Sequence, residues 1–196
     1  MRTLCLGGSF NPIHHAHLIT SRSVAEKLNY DRVLLIPSAQ PPHKPDSATL
    51  AAPADRLAMA RLAVADDPLF SVDDLELTRT GPSYTINTAR ILTARGEGPV
   101  HWLIGADMLM YLPKWHRARE LIHEVNFVPI ARPGWQIDWD ALPPEFRFLR
   151  EAVVETPIID ISATQIRQRV AAGLSINYLT PPAVCRYIAE HRLYRP

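Results

Sequence analysis

Leu4-Cys5-Leu6-Gly7-Gly8-Ser9-Phe10-Asn11-Pro12-Ile13-His14-His15-Ala16-His17 decides how the rest of the chain is read. An apolar run stops at two glycines. A polar turn and Pro12 follow, and three histidines stand at what reads as the mouth of a helix. A strand passing through a glycine turn into a helix offers backbone N–H groups and the positive end of a helix dipole to phosphate. His14 and His17, spaced i, i+3, can face the same way and add donors. The stretch reads as a nucleotide phosphate site carrying its own catalytic histidines.

Working outward, Arg2–Leu6 is the first strand and Ala16–Leu28 the first helix. Arg32–Ile36 is a continuous apolar strand of the kind buried in a parallel sheet, and 38–52 is a proline-rich loop. Ala54–Ala65 is a helix, with Pro53 suited to its first turn. Phe70–Val72 is a short strand that Asp73–Thr80 could extend. Ser83 can cap a helix that Gly96 ends. Val100–Ile104 and Asn126–Ala131 are strands flanking a helix from Trp115 to Glu124. Residues 135–150 lack periodicity and read as a surface loop. Val153–Val154 and Ile158–Ile161 are expected as short strands, followed by helices from Ser162 or Ala163 to about Ala172 and from Pro181 to Glu190. Strands alternating with helices argue for α/β architecture: one doubly wound parallel sheet with helices on both faces, in a single domain over 1–196. Right-handed crossovers would gather the turns at Gly7, Pro37, Gly105 and Arg132 on one edge.

The 196 residues are 47% hydrophobic and 21% charged, an ordinary globular composition. A net charge of +1 gives no electrostatic footprint for nucleic acid. Cys5 and Cys185 fall in predicted buried elements, not in a disulfide or zinc pattern. With no basic-then-apolar leader and no apolar run near ~18 residues, a cytoplasmic protein without a membrane role is expected.

The glycine turn matches neither the dinucleotide fingerprint nor the P-loop, which disfavours hydride transfer and P-loop kinase chemistry. His14 and His17 as zinc ligands would need a third ligand, and Asn11 beside them is a poor one. His43-Lys44, Asp107, Arg132, Thr164 and Arg167 all stand at predicted element ends, with no nucleophile elbow. Cations and donors without a nucleophile suit phosphoryl or nucleotidyl transfer. On spacing alone Trp115 fits a core aromatic as well as a platform for a flat ring.

Gly7 to His17 resembles the G-G-[ST]-F-[DN]-P-[IV]-H-x-G-H signature of the nucleotidyltransferases with an H-x-G-H motif. Ile161-Ser162-Ala163-Thr164-Gln165-Ile166-Arg167 resembles their second signature, I-S-[SA]-T-x-[IL]-R. Pro37-Ser38-Ala39-Gln40-Pro41-Pro42-His43-Lys44, Gly81-Pro82-Ser83-Tyr84-Thr85, and Leu103-Ile104-Gly105-Ala106-Asp107-Met108 with Trp115 are similar to stretches of the bacterial nicotinate-nucleotide adenylyltransferases. The likeness runs from Arg2 to Tyr194.

The resemblance implies a Rossmann-like fold, and ATP and nicotinate mononucleotide giving nicotinate adenine dinucleotide and pyrophosphate, with Mg²⁺ bound through phosphates and by no protein side chain. It implies His14, His17, Lys44 and Arg167 as catalytic residues. Gly8, Ser9, Phe10, His17, Ser162, Thr164 and Arg167 would bind ATP. Lys44, Thr85, Asp107, Trp115 and Arg132 would bind the mononucleotide. Ala16 replaces the motif glycine, and its methyl limits φ. Asn11 stands where many members have Asp, removing a negative charge near the phosphates. The expected reaction is in-line attack by the mononucleotide phosphate, without a covalent enzyme intermediate. Rival readings are a sister enzyme using nicotinamide mononucleotide or phosphopantetheine, and a non-catalytic nucleotide-binding module. Oligomeric state, monomer or homodimer, stays open.

Overall fold

The computed structural model describes residues 1–40, 50–131 and 137–195. Five strands, β1 (Thr3–Gly8), β2 (Arg32–Pro37), β3 (Phe70–Val72), β4 (Val100–Gly105) and β5 (Val125–Ile130), form one parallel sheet in the order β3-β2-β1-β4-β5. The helices are α1 (His15–Lys27), α2 (Pro53–Ala63), α3 (Thr85–Ala94), α4 (Ala106–Tyr111), α5 (Ala118–Glu124), α6 (Ala163–Ala171) and α7 (Pro182–Glu190). This is the doubly wound arrangement that the alternation of elements predicts. Cys5, Leu34, Trp102 and Phe127 point from the sheet to a core shared with α3, α4 and α5. Leu4, Val33, Leu35 and Val128 point to the other face, where α1, α2, α6 and α7 supply Val24, Met59, Ile166 and Val184. With both faces covered, strands such as Val33–Ile36 are apolar without alternation.

Four expectations need correction. Residues 73–80 turn instead of extending β3: Asp73 Oδ1 accepts the Leu75 N–H at 2.8 Å, a local bond that competes with strand pairing. Trp115 is not helical; it is extended, between a 3-10 turn at Leu112–Lys114 and α5. Part of the supposed surface loop is core, since Pro144–Ala152 is 3-10 helical and buries Phe146 and Leu149. Of the two late strands, Val154 makes a single bridge to Ile130, and Ile158–Ile161 pairs with nothing described, with Ile158 exposed. Helix α4, which starts directly at the end of β4, was not foreseen.

Strand order reverses at β1, which has β2 on one side and β4 on the other. The crevice above the carboxyl ends of β1 and β4 is where an open α/β sheet takes ligand.

Candidate active site

Each glycine of the turn has a close neighbour, and the one at Gly7 excludes a side chain. A Cβ on Gly7 would lie 2.4 Å from Cζ2 of Trp102, and one on Gly8 would lie 3.1 Å from the Phe10 ring. The left-handed backbone falls on Phe10 instead (φ 43°), whose ring is 1% exposed and meets His17 edge-on at 5.2 Å. A bulky residue held at positive φ stores strain of the kind found at ligand sites.

His14 is buried and serves as N-cap of α1. Its N–H donates to Nδ1 of His17 at 3.3 Å, and the two rings stack at 3.7 Å. An Nδ1 that accepts leaves the proton of a neutral ring on Nε2, as a donor. The turn is held from the far end of the chain. Thr180 Oγ1 donates to the Ile13 carbonyl at 2.7 Å, and Leu179 O accepts the His15 N–H at 3.0 Å.

Ser162 caps α6, its hydroxyl accepting the Gln165 N–H at 3.2 Å. From α6, Arg167 donates to the Asn11 carbonyl at 2.9 Å and to Thr164 Oγ1 at 3.3 Å. The two signature stretches, over 150 residues apart, therefore meet around one turn. Asn11 Oδ1 accepts from the Ala51 N–H at 3.0 Å and from the Tyr194 hydroxyl at 2.8 Å. Both bonds ask only for an acceptor, so Asn serves as Asp would.

Beside this turn lies a cavity of about 530 Å³, lined by Gly7, Gly8, Ser9, Thr85, Gly105 and Trp115 among others. Trp115 lines the cavity and packs edge-on against Phe127 at 6.1 Å. Thr85 opens α3, and Asp107 lies in the first turn of α4. A Cβ on Gly105 would come within 2.7 Å of the Asp107 carboxylate oxygen, a contact that a turn of that side chain would relieve. His14, His17 and Arg167 are not cavity walls; they ring the Ser9–Asn11 turn at its edge. Lys44 and Arg132 lie outside the described residues.

Sequence reasoning missed four residues here. Tyr84 and His116 stack at 4.1 Å and join two cavity walls. Glu76 is a buried cavity carboxyl that accepts from Thr88 at 2.6 Å and from Ser83, and burial pushes its pKa up. Arg56, in α2, is fully buried. A signal for it existed: it recurs with Met59 and Ala60 on the apolar face of α2, where an arginine is out of place.

The cytidylyltransferase-like family profile matches residues 5–169. A probable nicotinate-nucleotide adenylyltransferase of Roseiflexus sp. (strain RS-1) is 45% identical over 192 residues, 97% of this chain and 96% of that one. Another, from Lactiplantibacillus plantarum, is 42% identical over 96% of this chain and 86% of its own length. The solved Plasmodium falciparum nicotinic acid mononucleotide adenylyltransferase, complexed with NaAD, shares the fold at TM-score 0.74 and 20% identity, over 99% of this chain and 98% of that one.

Proposed function

The chain belongs to the cytidylyltransferase-like family and, within it, to the nicotinate-nucleotide adenylyltransferases, and we infer that it transfers the adenylyl group of ATP to nicotinate mononucleotide. The products are nicotinate adenine dinucleotide and pyrophosphate, a step of NAD biosynthesis. The observation that carries this reading is the pairing of a histidine-bearing phosphate turn with an adjoining aromatic cavity, in a chain 45% identical to such an enzyme over nearly its full length.

A phosphate oxygen of the mononucleotide attacks the α-phosphorus of ATP in line, and pyrophosphate leaves. A phosphomonoester, with its second pKa near about 6, is already largely dianionic at pH 7, so no general base is required. The protein brings two anions together and stabilises charge as it shifts to the leaving group. His17, through Nε2–H, and Arg167 would donate to the phosphates. Backbone groups of Gly8, Ser9 and Phe10 border the nucleotide. The family resemblance adds Lys44 as a further cation. Thr85 and Trp115, which line the cavity, would hold the mononucleotide, and the resemblance adds Asp107 and Arg132. Imidazole, guanidinium and amide donors suit a magnesium ion held by the phosphates, which when bound offsets their charge.

The test is pyrophosphate release with ATP and, in turn, nicotinate mononucleotide, nicotinamide mononucleotide and phosphopantetheine. Release with the nicotinate compound at least tenfold faster than with the others is expected. Absence of release with it would overturn the reading.

A further inference from the structure

Arg56 is the largest side chain in the described structure with no exposure at all. Its Nη1 donates to the carbonyls of Ser9 at 2.8 Å and Ser38 at 2.6 Å. Nε donates to the Ala51 carbonyl at 3.0 Å, and Nη2 to that of Ala39 at 3.3 Å. One planar group thus joins the turn after β1, the loop after β2 and the approach to α2.

Two things about it are costly for the fold alone. All four acceptors are neutral carbonyls, and among the described residues no carboxylate forms an ion pair with it. A buried charge without a counter-ion is expensive. It also lies in the first turn of α2, where a cation opposes the helix dipole. Burial lowers its pKa, though an arginine stays charged at neutral pH. An anion arriving nearby would offset the first of these, while Asp55 in the same turn already offsets part of the second.

The geometry says where that anion would be. Ser9 and Ser38 both line the cavity beside the phosphate turn. In a trans peptide the C=O and N–H point to opposite sides. Carbonyls drawn toward Arg56 therefore turn the N–H groups of Phe10 and Ala39 the other way. The Ala39 N–H is taken by Ser83 Oγ at 2.9 Å, which fixes the β2 loop against the cavity wall. The Phe10 N–H belongs to the turn that would border ATP.

We propose that Arg56 is a positioning residue for adenylyl transfer: its fork sets the β1 turn against the β2 loop, and its charge draws in the polyphosphate. This rests on the adenylyl-transfer reading above. Arg56 touches no reacting atom and acts through the loops it holds.

Lysine keeps the charge and loses the fork; methionine fills similar space and loses both. The test compares the full chain with Arg56→Lys and Arg56→Met, taking kcat and ATP KM per folded molecule, with the folded fraction from near-UV circular dichroism. Arg56→Lys should hold its ATP KM within fivefold while kcat falls at least tenfold. Arg56→Met should raise ATP KM at least tenfold. A kcat loss under fivefold in the lysine variant, or a KM rise under fivefold in the methionine variant, overturns the proposal. So does failure of both variants to fold, which assigns Arg56 to the fold alone. If only the methionine variant fails to fold, the lysine variant's kcat decides. Wild-type protein that forms no dinucleotide from these substrates would refute the activity instead.

Discussion

At the residue scale, His17 uses its two ring nitrogens differently. Nδ1 accepts the His14 N–H and so caps α1, which in a neutral ring leaves the proton on Nε2, the nitrogen proposed to donate to phosphate. Substitution can separate the two uses. Glutamine at this position can keep the capping bond, as in a capping box. His17→Gln should leave the melting temperature within about 3 °C and lower kcat by roughly 10²–10³-fold, the usual cost of losing one donor to developing charge. His17→Ala should lose as much kcat and about 1 kcal/mol of stability besides. Unchanged turnover in folded His17→Gln would remove the histidine from the chemistry. Trp115 also has two roles, as cavity wall and as neighbour of Phe127. If the pyridine ring stacks on it, Trp115→Ala should raise the mononucleotide KM roughly 5- to 150-fold, taking about 1–3 kcal/mol for base–aromatic stacking, and leave ATP nearly unaffected. Trp115→Phe should recover most of that. A drop in melting temperature with both KM values unchanged would make Trp115 a packing residue only.

At the element scale, long periodic segments were legible and short irregular ones were not. Continuous apolar runs such as Val33–Ile36 revealed a sheet buried on both faces, and glycine and proline punctuation placed the ends of β1, β2 and β4. Pro144–Ala152 escaped because it buries only Phe146 and Leu149 in a nine-residue segment opened by proline and otherwise rich in charge, too short a run to establish a period. Phe146→Ala should therefore cost about 3–5 kcal/mol. A loss under about 1 kcal/mol in denaturant melts would return this segment to the surface. The spacing of Arg56 with Met59 and Ala60 signals its burial, but its partners Ser9 and Ser38, like the Thr88 partner of Glu76, are groups that no local pattern encodes. Glu76 ties α3 to the Ser83 turn, and its raised pKa has a definite consequence. The fold binds its proton more tightly than the unfolded chain does. The associated stability is full below the ordinary value of 4.5 and is lost as pH rises through the raised one. Glu76→Gln cannot ionise, so the melting temperature of wild type should fall relative to this variant as pH rises from 4.5 through the raised pKa. Parallel curves would show that burial does not perturb the carboxyl.

At the scale of the molecule, the site is stitched from segments remote in sequence: the turn after β1, the entry to α2, the start of α6 and Thr180 before α7. A ligand that binds only this assembled state should stabilise the whole fold. ATP at 100 times its dissociation constant should add about 2.7 kcal/mol, or roughly 5–10 °C for a chain of this size. Scanning calorimetry with and without ATP checks this, and no shift would mean that the folded protein does not bind it. The parallel sheet has a further consequence at its margins. One outer strand, β3, is three residues long. The other, β5, contains Pro129, which has no N–H to give, and the carbonyl of Pro129 already accepts the Val154 N–H at 2.8 Å. Among the described residues neither margin offers a long row of open amide groups on which a stray extended chain could dock. A crowded solution of folded molecules therefore has little purchase for templated strand addition, the route by which sheet proteins grow into fibres.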